Sequence, residues 1–390
     1  MVKKQQVDKR VQATPMQMLS QIYLGLLATY QGLHAHPELS FCEWKTAEMI
    51  AARLRSEELE FRSIAQTGLL VKIEGMAKGA DLKRAIVLRA DIDALPIEEQ
   101  TELEYTSENK GVMHACGHDI HAAVLYGVLL RLAEKRDFEG TIFGIFQPGE
   151  ECNPGGASKV LATEPFADYN VVAVIGEHTD SGLEVGELGF CKGEFMAAND
   201  ELRFWVRGKG GHGAMRSQLN DTVVAAAHLV TMLNAVNDEN TVLSIGKVVA
   251  DGATNVIPDE VYMEGTFRCF SEEHRRTVWH IIEAAAQSVD AKFGTSTEVD
   301  INHGYPAVVS DDTLVEKALA LASTNGVTTK ILDKRYTSED FGFYCVRYPS
   351  LFYRLGVGTA AGRSHTSTFA PSEDAIEVGI DFMEKLAREL

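Results

Sequence analysis

Short apolar runs alternate with amphipathic stretches through the first half of the chain. Apolar positions recur at helical spacing over 17–35 and 43–56 and predict helices there. LLVKIE at 69–74 and AIVLRA at 85–90 are short and aliphatic and predict strands. A helix is expected over roughly 119–135, with Leu125, Val128, Leu129 and Leu132 on one face. Strands TIFGIFQ at 141–147 and VVAVIG at 171–176 follow. Strands this uniformly apolar suit a mostly parallel sheet covered by helices on both faces, an α/β architecture.

The middle of the chain follows another rhythm. DELRFWVR at 200–207 predicts a strand, 220–237 a helix, and TVLSIGKVVA at 241–250 and DEVYMEGTFR at 259–268 two more strands. A helix is expected from an N-cap at Ser271 to about Phe293, then a strand at 297–303. The order βαββαβ is that of a ferredoxin-like split unit. Beyond it the α/β pattern resumes, with a helix at 312–323, strands near 329–332 and at 351–355, and a helix at 374–388. The expected organisation is a catalytic domain of 1–193 and 305–390 interrupted by a second domain of 194–304. Cys191-Lys192-Gly193 and Gly304-Tyr305-Pro306, at the two crossings, are turn-rich hinge candidates.

Composition narrows the function. The 390 residues, 45% of them hydrophobic, suffice for two cores. A formal charge of −19 without a basic patch argues against nucleic acid and anionic membranes as partners. The opening MVKKQQVDKRVQATP lacks the apolar core of a signal peptide. No run of about 18 apolar residues occurs, so a cytoplasmic protein is expected. The six cysteines (Cys42, Cys116, Cys152, Cys191, Cys269 and Cys345) show no CxxC spacing; most read as ordinary buried thiols, and Cys116 alone is set apart by its neighbours.

Five segments concentrate metal-ligand chemistry: Asp91-Ile92-Asp93, the run His114 to His121 (HACGHDIH), Gln147-Pro148-Gly149-Glu150-Glu151, Glu177-His178, and His365. Asp91, the Glu150-Glu151 pair, His178 and His365 are each expected just past the C-terminal end of a strand, where open parallel sheets build sites. Thiolate and imidazole suit zinc-like ions, so Cys116 and His118 are candidate ligands, with Asp119 suited to orient a ligand imidazole. Adjacent carboxylates repel, so Glu150 and Glu151 at one site need a cation between them. One would bind metal and the other act as general base. GKGGHG at 208–213 fits a dinucleotide pattern formally, but it lies in the inserted unit and carries His212, which suits an electrophile reaching a substrate oxygen.

The motifs LRADIDALPI, MHACGHDIHAA, FQPGEE, GKGGHGAM, GATNVIPDEVYMEGTFR and SEDFGFY resemble the amidohydrolase branch of the aminoacylase and carboxypeptidase superfamily of two-metal peptidases. That branch includes hippurate hydrolases, N-acetyl-diaminopimelate deacetylases and auxin–amino acid conjugate hydrolases. The resemblance implies two divalent ions per subunit, zinc or manganese, with cobalt or nickel as alternatives. It implies ligands at Cys116, His118, Glu151, His178 and His365, the Cys116 thiolate being shared, and Glu150 as base. Asp91, Asp93 and Asp119 would support the ligands. It further implies a homodimer through the inserted domain, with His212 serving the partner's site, Asn255 nearby, and Arg268 holding a substrate carboxylate. Arg216-Ser217 and Ser367 stand where the family usually has proline, and Gln31-Gly32 where it often has two arginines. The expected activity is hydrolysis of the amide bond of N-acyl amino acids by a metal-activated water. The rivals are a dipeptidase or carboxypeptidase with the same centre, a catalytically retired metal- or ligand-binding protein, and a zinc-stabilised scaffold. Structural zinc prefers four closed Cys and His ligands, which this carboxylate-rich set does not offer.

Overall fold

The computed structural model describes residues 15–390, with side chains from residue 25 onward. Residues 1–14, with most of the opening on which the signal-peptide expectation rests, lie outside the described residues. No helix among the described residues is long and apolar enough to cross a membrane.

Among the described residues, one sheet has eight strands. Their spatial order is Phe61–Ile64, Gly68–Glu74, Thr141–Gln147, Arg84–Asp91, Asn170–Asp180, Ser350–Gly356, Glu187–Phe190 and Thr328–Ile331. The four strands from Thr141–Gln147 to Ser350–Gly356 run mutually parallel. Antiparallel pairings flank them on both sides, so the sheet is mixed at its margins. Phe61–Ile64 and Glu187–Phe190 are not among the strands read from the sequence.

Apolar side chains cover both faces. The helix His118–Glu134 is buried nearly all round rather than on one face, because Pro15–Ala35 and Ala375–Glu389 pack on its outer side. Leu125, Val128 and Leu129 are fully buried, each stabilising the fold by roughly 1.5–3 kcal/mol. The helices cross closely at Gly127, where a Cβ would stand 2.3 Å from Ile380. Phe143, Val160, Phe166, Phe341 and Phe352 belong to the core of the opposite face.

A separate four-stranded antiparallel sheet has the order Thr241–Val249, Glu260–Cys269, Ala198–Arg207, Ser296–His303. Along the chain these strands and the helices Thr222–Asn234 and Glu272–Phe293 follow the order βαββαβ. Leu202, Phe204 and Val206 face the two helices, while Arg203 and Arg207 on the other face pair with Asp300, Glu260 and Glu298. Ser271 caps the second helix by accepting from the His274 amide, and Gly294 at φ +69° ends it. On the first helix, Leu233 joins Ala225, Ala226 and Leu229 in the core, whereas Val223 and Val224 are exposed. Val242, Val248 and Val249 on the edge strand Thr241–Val249 are exposed as well.

Candidate metal centre

The parallel strands deliver their C-terminal ends to one edge of the large sheet. Asp91 is the last residue of its strand, and Glu150 and Glu151 follow the strand ending at Gln147. His178 lies within Asn170–Asp180 rather than past its end, because the strand runs on beyond the apolar stretch that marks it in the sequence. His365 comes from the loop after Ser350–Gly356, with its backbone at φ +61° and its amide donating to the Ala115 carbonyl at 2.8 Å. That bond ties the loop to the segment carrying Cys116. Gly117, at φ +86°, turns the chain between Cys116 and His118, and a Cβ there would meet Thr179 at 2.8 Å.

The cluster is built around Cys116. Its sulfur lies 3.4 Å from His178 Nε2 and 3.3 Å from His365 Nε2. His365 Nε2 is also 3.3 Å from Glu151 Oε1, and His118 Nε2 is 3.9 Å from the same oxygen. Cys116, His118 and His178 each offer a ligand atom within 4.8 Å of the others, as do Cys116, Glu151 and His365. Two three-ligand sets thus share one sulfur.

Hydrogen bonds decide which imidazoles are free to bind. His118 Nδ1 lies 2.9 Å from the Asp93 carbonyl, an acceptor only, so this nitrogen carries a proton and Nε2 is the one that offers a lone pair when the ring is neutral. His178 Nδ1 is fixed in the same way by the Thr179 carbonyl at 2.8 Å. His121 is consumed: Nδ1 lies 2.5 Å from Asp91, and Nε2 accepts from the Thr179 amide at 2.9 Å. Among the described residues His118 Nε2 and Glu151 Oε1 are both buried without a well-formed hydrogen bond, the contact of Glu151 Oε1 with His365 Nε2 at 3.3 Å being an ion-pair approach. Two facing, unsatisfied electron-pair donors beside a thiol and two imidazoles suit a cation of zinc or manganese type.

The expected supporting residues behave differently from one another. Asp93 holds His118, accepts from Ser40 Oγ at 2.6 Å and accepts from the Glu151 amide at 2.9 Å. Asp91 bridges His121 and Arg89. Asp119 does not orient a ligand imidazole: its carboxylate lies 2.6 Å from His34 Nδ1 and accepts from the Ile120 amide. Successive helix positions diverge in direction, so Asp119 points away from the centre that its neighbour His118 faces.

Glu150 is buried and lies close to Glu339 and Asp340, with ligand atoms within 4.8 Å. Burial and the charges of Glu339, Glu151 and Asp340 push its carboxyl well above the usual range. Arg89, fully buried, anchors this acidic knot at 2.7 Å from Asp91, 2.8 Å from Glu339 and 2.6 Å from Asp340. Arg89, Gln147, Glu339, Asp340 and Tyr305 lie in segments quoted from the sequence, but sequence reasoning gave none of them a role at the centre. A signal existed for Arg89, the lone charge within the apolar run AIVLRA. Burial pushes the Cys116 thiol up to about 12, with Glu151 adding to the rise. A bound cation would reverse that tendency.

These residues open onto a cleft of about 540 Å³, lined among others by Cys116, Glu150, Glu151, His178, Arg354 and His365. His212 and Asn255 are not in its lining. They sit side by side on two exposed segments joined by the short ladder of Gly211–His212 with Val256–Ile257, Asn255 Nδ2 lying 3.4 Å from His212 Nε2. Arg268 reaches the cleft margin, donating to the Tyr336 carbonyl at 2.7 Å and to Ser338 Oγ at 2.9 Å.

Comparison with known proteins follows the same lines. Residues 87–389 match the family described as peptidase family M20/M25/M40. An N-acetylcysteine deacetylase of Bacillus subtilis is 35% identical over 93% of this chain and 96% of its own. An N-acetyldiaminopimelate deacetylase of Bacillus cytotoxicus is 34% identical over 91% of this chain and 95% of its own. The crystal structure of a B. subtilis protein described as a dinuclear metal binding peptidase from the M20 family superposes with a TM-score of 0.83. It is 33% identical, over 94% of this chain and 98% of that one.

Proposed function

The chain belongs to peptidase family M20/M25/M40 and is a hydrolase acting on amide bonds; on that premise we propose that it hydrolyses N-acyl amino acids at a two-metal centre. The observation that carries the proposal is the pair of buried, unpartnered donors, His118 Nε2 and Glu151 Oε1, facing Cys116 and His365 with Glu150 beside them. Cys116, His118, Glu151, His178 and His365 would hold two divalent ions, with the thiolate shared. Such ions supply Lewis-acid polarisation of the scissile carbonyl and lower the pKa of a water.

The chain's own residues do the rest. Glu150 takes a proton from the attacking water and returns it to the leaving amine. Its position is held by the Tyr305 hydroxyl, 2.5 Å from the Glu150 carbonyl, and by the Asp340 amide. Arg268, at the cleft margin, pairs with the α-carboxylate of the amino acid. His212 is exposed and outside the cleft lining, so we assign it to the cleft of a second copy, where it donates to the developing oxyanion with Asn255 nearby. Residues 194–304 would form the dimerising domain. The exposed valines of the helix Thr222–Asn234 and of the edge strand Thr241–Val249 support this, since paired edges bury such surface.

The test is turnover by purified protein loaded separately with Zn²⁺, Mn²⁺, Co²⁺ or Ni²⁺, offered N-acyl amino acids and dipeptides. Metal-dependent release of the free amino acid from N-acyl substrates is expected, faster than from dipeptides. Faster dipeptide cleavage would reassign the protein as a dipeptidase. Tight metal binding without turnover of either class would leave a binding protein.

A further inference from the structure

Arg89, Arg203, Arg207 and Arg268 each have an oxygen partner, whereas Arg354, buried in the cleft, has none among the described residues. Arg354 lies on the central strand Ser350–Gly356, paired in register with His178 on the neighbouring strand. It is only 4% exposed and lines the cleft. Its Nε has no hydrogen-bond partner. Its Nη2 reaches only the sulfur of Met196, at 3.0 Å, a weak acceptor. Among the described residues no carboxylate lies within ion-pairing distance of its guanidinium. By contrast Arg89 meets three carboxylates, Arg275 lies 2.5 Å from Asp200, and Arg335 lies 2.6 Å from Asp180.

The surroundings make the lone charge costly. The rings of Phe195 and Phe352 each lie 5.4 Å from the guanidinium carbon, so apolar surface replaces water around it. Burial and the neighbouring charge of Arg335 lower Arg354 to about 10. Cations held by His178 and Cys116 would add positive charge beside it. Without an anion the guanidinium keeps no directly paired counter-charge, with Asp180 and Glu339 acting on it only at longer range, and a buried cation in that state is destabilising.

Resting on the N-acyl amino acid reading, we infer that Arg354 takes a second carboxylate of the substrate, selecting N-acyl amino acids that are dicarboxylic. The planar guanidinium fork matches a carboxylate in two parallel hydrogen bonds, and flanking aromatic rings favour a planar guest. Arg268 and Arg354 belong to different strands, which provides for two carboxylates on one molecule. The second carboxylate belongs either to the acyl group or to the amino acid side chain.

The experiment compares kcat/KM for N-acetyl-L-alanine, N-acetyl-L-glutamate and N-succinyl-L-alanine, using wild type and Arg354→Met at matched metal content. Wild type is expected to prefer one of the two dicarboxylic substrates. In Arg354→Met the ratio of that substrate to N-acetyl-L-alanine should fall roughly ten- to hundredfold, the worth of a charge-assisted hydrogen bond. Arg354→Lys keeps the charge but not the fork, and should fall part of the way even if the methionine variant does not fold. An unchanged ratio in the folded variants, or a wild-type preference for N-acetyl-L-alanine, overturns the inference. Calorimetric binding of glutarate to the metal-free protein separates the two readings. Weaker glutarate binding by Arg354→Met, with no hydrolysis of any N-acyl amino acid by wild type, upholds the anion site and sinks the hydrolytic reading. Hydrolysis with an unchanged substrate ratio and unchanged glutarate binding sinks the anion site alone.

Discussion

Replacing Glu150 with glutamine separates catalysis from metal binding and from stability. The amide is nearly isosteric, so the buried site, 5% exposed, keeps its packing. Glu151 still supplies the carboxylate that faces His118 and His365. What goes is the proton shuttle, typically worth 10²–10⁴-fold. That range corresponds to about 2.7–5.4 kcal/mol of transition-state stabilisation at 1.36 kcal/mol per decade. The amide also replaces a carboxyl crowded by Glu339, Glu151 and Asp340, so melting temperature should hold or rise. The assay is steady-state turnover at equal metal content by elemental analysis, with a thermal melt of the same samples. More than about a tenth of wild-type kcat in a metal-replete mutant would refute the base role. Loss of metal would instead make Glu150 a ligand.

Three further outcomes are expected. Cys116→Ala should lower metal stoichiometry and activity together, because its sulfur lies within 3.4 Å of both His178 and His365; unchanged stoichiometry would reduce it to a buried thiol. Mixing His212→Ala with Glu150→Gln subunits should restore part of the activity, since one cleft of each mixed dimer has both groups; no recovery after verified exchange places His212 in its own chain's chemistry or outside it. His34 would be lowered by burial, but hydrogen bonds to Asp119 and Glu99 outweigh that and lift it to about 10. Its charged form therefore stabilises the fold fully below about 6.5 and loses that contribution as pH rises toward about 10. The stability gap between wild type and His34→Gln, read by denaturant melts, should narrow over that window, and a gap that widens would contradict the pairing.

Much of the candidate site was proposed before any coordinates. Thiol, imidazole and carboxylate within HACGHDIH and PGEE are chemically extreme residues at close spacing, and apolar periodicity placed most of the strands that carry them. Ser271 as a helix cap and the βαββαβ order were readable because caps and periodicity are local. Choosing among adjacent donors was not local. His118 and His121 look alike in sequence, yet only His118 keeps a free nitrogen, because the Thr179 amide on a distant strand occupies His121. Asp119 looked like a partner for a ligand and proved to belong to His34, since helix geometry turns it away. Arg89 and Arg354 both read as single charges in strands. Only the packing of strands far apart in sequence gives the first three carboxylates and leaves the second with none among the described residues. Local chemistry follows from residue identity, whereas pairing, solvation and vacancy arise from contacts between segments that only the fold brings together.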